Sequence, residues 1–212
     1  METDNALVFI AVVAVALSIV GTVVTYNSVS EYNHFVTGFA TEQGVINVTV
    51  ASQAIIEIIS AGGESGQKNI TWGSGTVDTS GGNTYAVLAT NGTVTGSSTW
   101  SAITGGFVVR NIGNVNVTLD IHASPTAGDF IGGTSPEFQY NISNVETGSC
   151  SSFPASTENI YKEFPGSAER VCNIFRSDIA NDEVRIDILL KVPSDSFTGT
   201  RNSTVILTYS QA

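Results

Sequence analysis

Hydrophobic residues follow two regimes along this chain. From Ala6 to Val24 the sequence reads ALVFIAVVAVALSIVGTVV, in which only Ser18 and Thr22 carry polar side-chain groups. As a helix this run spans roughly 28 Å, close to the hydrocarbon thickness of a bilayer, and no face of it suits water. After Tyr26 the spacing of Val29, Tyr32, His34, Phe35 and Phe39 predicts a polar-faced continuation to about Phe39, ending near Gly44. Residues 1–41 are therefore expected to be one N-terminal hydrophobic helix, and 42–212 a separate head.

Beyond Gly44 the period changes from helical to two. Ile46, Val48 and Val50 point one way and Asn47 and Thr49 the other; AIIEII (54–59), ITWG (70–73) and YAVLAT (85–90) follow, separated by the turn-rich stretches 61–67 and 79–83. The clearest strands are NVNVTLDIH (114–122), EVRIDILLKV (183–192) and the terminal NSTVILTYS (202–210). Each has one apolar and one mostly polar face, as in the half-buried strands of an antiparallel sandwich. Residues 124–182, with Pro125, Pro136, Pro154 and Pro165, read as a loop-like insertion or irregular strands.

Charge narrows the partners. With 19 acidic against 8 basic residues the chain carries −11, a surface that repels phosphate and argues against nucleic acid. The residues ahead of the apolar run include Glu2 and Asp4, and the first basic residue is Lys68. A cleavable secretory signal needs a basic n-region, which is missing, and a permanent single-span anchor gains no topology signal from either flank. A third reading is a helix that leaves the membrane to pack against copies of itself. Its acidic tip then sits at the positive end of the helix dipole, and the small residues of the run allow close approach.

An unbroken apolar helix with acid near its tip, followed by a β-rich head bearing Asn-x-Ser/Thr sequons, resembles the archaeal type IV pilin-like family, which includes adhesion pilins and archaellins. The resemblance is strongest over residues 1 to about 40. It implies that a basic leader is removed ahead of the run, so that this chain is the processed form. Bacterial relatives keep a Glu at the fifth position, where this chain has Asn5 with Glu2 and Asp4 beside it. Separately, residues 106–123 and 183–210, with their Asn-Ile-Gly-Asn turn, Pro-ended strand and final hairpin, resemble the immunoglobulin-like modules of archaeal surface proteins. The expected fold class is therefore α+β: a long N-terminal hydrophobic helix followed by an antiparallel immunoglobulin-like β-sandwich.

The filament core implied by this reading comprises Ala6, Leu7, Val8, Phe9, Ile10, Val12, Val13, Val15, Leu17, Ile19, Val20, Val23 and Val24. Its partners are identical subunits in a helical homopolymer, the cell membrane before assembly, and pilus assembly machinery. Sequons at Asn47, Asn69, Asn91, Asn116, Asn141 and Asn202 predict covalent N-glycans on an extracellular surface. Cys150 and Cys172, an even pair in an apparently extracellular chain, predict a disulfide.

Catalytic and metal chemistry has little to draw on. GGESGQK (62–68) has the wrong spacing for a phosphate loop and is followed by Asn69 and a strand. Asp178, Asp182 and Glu183 lack the interleaved spacing and central Gly of a calcium loop, and His34 and His122 lie far in sequence from either Cys. No cofactor and no enzyme activity are expected. The leading expectation is a structural pilin with an adhesive role. The alternatives are an archaellin of a motility filament, or a tethered surface adhesin acting singly with Trp72, Trp100 and Tyr85 as a ligand patch.

Overall fold

Strands form where apolar and polar residues alternate, and the computed structural model shows how far that rule reaches. The structure describes Ser18 and residues 51–97, 99–154 and 157–212. The chain divides into two units, Met1–Val50 and Ala51–Ala212, and the described strands belong to the second. In chain order they are β1 (Ile56–Ala61), β2 (Glu64–Ser65), β3 (Tyr85–Ala89), β4 (Val94–Thr95), β5 (Phe107–Asn111) and β6 (Val117–Ser124). A four-residue helix α1 (Ala127–Phe130) precedes β7 (Glu137–Asn144), β8 (Cys150–Ser152), β9 (Lys162–Glu163), β10 (Glu169–Phe175), β11 (Glu183–Pro193) and β12 (Thr204–Gln211).

These strands build an eight-stranded and a four-stranded sheet, each antiparallel. The larger is organised around β11, whose 11 residues outrun any single neighbour. Along one edge it pairs with β7 from Val184 to Lys191. Along the other it pairs first with β5 (Glu183–Ile186) and then with β3 (Leu189–Pro193), so these two strands share one edge in succession. β1 extends the sheet beyond β5, and β9 beyond β7. Close approach of β5 to β11 requires Gly106: a Cβ there would lie 2.1 Å from the Ile186 carbonyl oxygen. The smaller sheet runs β12-β6-β10-β8.

The inward rows of the two sheets meet in one core. Val184, Ile186, Ile188 and Leu190 of β11 join Phe138, Tyr140 and Ile142 of β7; Val117, Leu119, Ile121 and Ala123 of β6 with Val171, Cys172 and Phe175 of β10 complete it. The arrangement is a β-sandwich, with alternate residues inside. Asn111 is a polar side chain that ties the two sheets together. It is 1% exposed, and its Nδ2 donates to the carbonyls of Val115 (3.0 Å) and Phe175 (3.2 Å) while its Oδ1 accepts from Gly113 N–H (3.1 Å). Every polar atom of that buried amide is satisfied, which is the condition for keeping it in a core.

The expectation of an α+β fold is corrected. Over the described residues the fold is β-rich, and none of them forms the long helix of the α+β expectation. Among residues 51–212 helix is confined to α1 and a 3-10 turn at Thr79–Gly81, and among the described residues no helix is long and apolar enough to cross a membrane. The physical reason is that the described chain places its apolar residues at period two, which suits a sheet face and leaves no helical stripe. The helix expected over 1–41, with its core residues Ala6 to Val24, and the strand expected at 46–50 lie outside the described residues, Ser18 excepted.

Two further readings are decided. ITWG (70–73) is not a strand: it runs as irregular chain with Ile70 and Trp72 packed against the core. Residues 124–182, read as a loop-like insertion or irregular strands, take the second form: they contain α1 and supply β7 and β9 to the larger sheet and β8 and the register-shifted β10 to the smaller. The prolines that prompted the loop reading sit at element boundaries; Pro125 follows β6 through a cis peptide bond, and Pro136 directly precedes β7.

Candidate functional site

Among the described residues the sandwich has an open side. β12 ends the smaller sheet, and between it and β1, beyond which the larger sheet continues only with the two-residue β2, lies a groove of about 530 Å³. Ile55, Ile56 and Ile58 line it from one side and Val205, Leu207 and Tyr209 from the other. The β12 residues belong to the inward row, lying opposite Ala123, Ile121 and Leu119 of β6. Those β6 partners are buried, whereas Val205 and Leu207 are half-buried and Tyr209 is 40% exposed. The flank thus shows side chains that the sequence pattern assigns to a core. Its charges are Glu57 and Lys68, which pair with each other at 3.8 Å.

Cys150 and Cys172 form the expected disulfide, joining β8 to β10 across Cα atoms 5.9 Å apart. Both are buried, so the bridge sits inside the smaller sheet and does not staple an exposed loop. Asn144 reinforces the same corner: its Oδ1 accepts from Cys150 N–H (2.6 Å) and its Nδ2 donates to the Cys150 carbonyl (3.3 Å), tying β7 to β8.

The sequons divide by environment. Asn69, Asn91, Asn116 and Asn202 are exposed, and Asn47 lies outside the described residues. Asn91 Oδ1 accepts from Thr93 N–H (3.0 Å), an Asx turn contained within the sequon itself. Asn116 Oδ1 accepts from Ser177 N–H at 3.3 Å. Asn141 differs: it is half-buried on β7 opposite Asp187, with its Oδ1 buried and unpartnered. Asp187 is held by the Thr90 hydroxyl at 2.9 Å, and burial, then the Asp187 charge, raises the Tyr161 hydroxyl above the ordinary phenol range.

Other residues singled out in the sequence fall into structural roles. Trp72 and Trp100 pack against the core, while Tyr85 stands exposed with the Lys191 ammonium 5.0 Å over its ring. Asp182 is 6% exposed; burial raises its carboxyl above the usual range, opposed by Arg110 at 3.5 Å. Arg110 also pairs with Glu183, which raises its own pKa, and Glu146 accepts from Asp182 N–H at 2.8 Å. Asp178 is exposed beside them. Among the described residues no group of three His, Cys, Asp or Glu could hold a metal ion. His122 lies on the outward row of β6, and His34 lies outside the described residues.

Sequence reasoning missed the open flank. Its signal was the terminal strand itself, which carries no charged side chain from Thr204 to Gln211 although it lies at a sheet edge. Compared with known family models, curated proteins and solved structures, the chain matches none of them.

Proposed function

We propose that this chain is the structural subunit of an archaeal type IV pilus-like filament: a cell-surface glycoprotein with an immunoglobulin-like head, inserted in the membrane before assembly and adhesive once assembled. The observation that carries the proposal is the apolar run Ala6–Val24 ahead of a disulfide-bridged β-sandwich. A segment with nineteen consecutive positions and no charge has no stable exposure to water. Copies packed through this run would replace lipid with protein, and identical head-to-tail contacts that do not close produce a filament. The exposure of the sequons Asn69, Asn91, Asn116 and Asn202 supports the glycoprotein reading, since a glycan needs an accessible Asn.

The test is Val13→Asp. An aspartate in the middle of the run has no solvated position in a packed apolar core. Filaments should disappear from the surface of cells producing this variant, while the chain is still made and its head still oxidised, as read by electron microscopy and by non-reducing electrophoresis. Filaments of ordinary number and length on those cells overturn the proposal.

A further inference from the structure

We infer that sugar transfer to this chain follows folding of the head, and that the fold closes the Asn141 sequon to it. The inference rests on the glycoprotein part of the reading above and is independent of filament assembly. Transfer forms a bond from the Asn Nδ2 to the anomeric carbon of a glycosyl phosphate donor. The bond from that carbon to the phosphate oxygen breaks, the phosphate leaves with the electron pair, and one amide proton passes to a base. An amide nitrogen shares its lone pair with the carbonyl and is a poor nucleophile until activated. A transferase therefore has to reach both Oδ1 and Nδ2 of its acceptor.

Asn141 offers neither a free backbone nor a free amide. It lies midway along the eight-residue β7, which pairs with β11 from Val184 to Lys191. Within the sequon, Asn141 stands opposite Asp187, Ile142 opposite Ile186 and Ser143 opposite Arg185. The other edge is also taken. Ile142 bridges to Glu158, its carbonyl accepts from Asn159 N–H at 3.0 Å, and Tyr140 pairs with Lys162 of β9. The Asn141 side chain is half-buried, and its Oδ1 is shut away from solvent with no hydrogen-bond partner. Freeing the three residues means drawing β7 out of the core, since Tyr140 and Ile142 are both 0% exposed. A sugar added before folding meets the same obstacle in reverse, because the amide that carries it has one atom sealed into the sheet face. All of these contacts lie among the described residues, so the closure needs nothing beyond them.

The other described sequons are held differently. Residues 69–71 are irregular chain, residues 91–93 connect β3 to β4, and Asn202 and Ser203 lie ahead of β12, each with its Asn exposed. Asn116 is exposed just ahead of β6, which its sequon enters at Val117. Asn141 also differs in sequence, since its sequon ends in Ser143 whereas those of Asn47, Asn69, Asn91, Asn116 and Asn202 end in Thr. Fold and hydroxyl type are separable by substitution.

The experiment is site-by-site glycopeptide mass spectrometry of the full chain and two variants, recovered from cells that make them. In the parent, occupancy at Asn141 should be about tenfold or more below that at Asn91, because a ladder segment opens far less often than a turn. Ser143→Thr, which a strand position accepts, should leave Asn141 as empty as in the parent. Ile186→Asp puts an unpaired charge at a core position that is 0% exposed, opposite Ile142, and should keep β7 out of its ladder. In that chain Asn141 should fill to the level of Asn91. The inference is overturned, and the glycoprotein reading kept, if Asn141 is occupied like Asn91 in the parent, if Ser143→Thr alone fills it, or if it stays empty in Ile186→Asp while Asn91 is filled. A chain with no sugar at any sequon overturns the glycoprotein reading and this inference together.

Discussion

On the flank bounded by β7, β9 and β8, Phe164 is 5% exposed and its ring centroid lies 4.4 Å from that of Phe138 and 5.0 Å from that of Tyr140. Phe130 extends the cluster at 5.2 Å from Phe138, Phe164 N–H donates to the Phe138 carbonyl, and the disulfide lies in the smaller sheet on that side. On the flank bounded by β1 and β12, equally apolar residues stand half-exposed, with no segment of the described residues across them. Both flanks arise from the same alternating pattern, so the difference lies in what crosses the gap. A connection with an aromatic residue, residues 157–165, crosses the first. The second is bounded by β12, which ends its sheet, and by β1, beyond which only the two-residue β2 follows. Apolar content alone therefore does not predict closure; a covering segment does.

The comparison breaks most sharply at single residues. Phe164→Ala removes a buried ring and should cost about 3–5 kcal/mol, the usual loss for a phenyl group in a core. Leu207→Ala removes a side chain that is already partly in water and should cost about 1 kcal/mol or less in the dilute chain. Denaturant unfolding of the full chain in detergent measures both. Equal losses would mean that the β12 flank is as well covered as the other, and the contrast between them would fail.

The bridge sharpens the same contrast at the next level. Removing it as the double change Cys150→Ala and Cys172→Ala frees a loop of 22 residues and should lower stability by about 3 kcal/mol by loop entropy. The loss should be visible as lower unfolding midpoints and as earlier exchange of β8 amides, with β12 amides unaffected in the dilute chain. If β12 loosens as much as β8, the sandwich has no independently reinforced side.

How much of this was legible before the structure depends on the strand. β6 and β11 were plain, because Val117, Leu119 and Ile121, and Val184, Ile186, Ile188 and Leu190, alternate without interruption and all are buried. β7 carries the same signal in Phe138, Tyr140 and Ile142, but prolines on either side of the region masked it. β10 could not be read by period at all: register shifts between Arg170 and Cys172 and between Cys172 and Phe175 put Val171 and Cys172 both inside. The disulfide followed from cysteine arithmetic and compartment, since two residues leave one possible pairing within the chain. The open flank was invisible to pattern, because a periodic strand announces which face is apolar and says nothing of whether another segment covers it.

The smallest expected effect concerns the hydroxyl within the closed side. Tyr140 is 0% exposed, and its hydroxyl is buried with no hydrogen-bond partner. Burial, with a lesser contribution from Glu169, pushes its pKa from 10.0 up to about 12. The folded state therefore holds the neutral phenol, while the unfolded chain ionises near its ordinary value. That stability is fully present below pH 10 and is lost as pH rises toward 12, by about 2–3 kcal/mol. Tyr161, also raised by burial, and Lys191, raised chiefly by its hydrogen bond to Glu137, lose stability over overlapping alkaline ranges. Tyr140→Phe deletes a buried polar group that has no partner, so it should leave stability at pH 7 unchanged or raise it by about 1 kcal/mol. It should also remove most of the alkaline decline and leave the part that belongs to Tyr161 and Lys191. Unfolding midpoints taken from neutral to strongly alkaline pH on both chains decide the matter. A variant whose decline matches that of the parent shows that the hydroxyl reaches water, and that the closed flank is less tightly sealed than its packing implies.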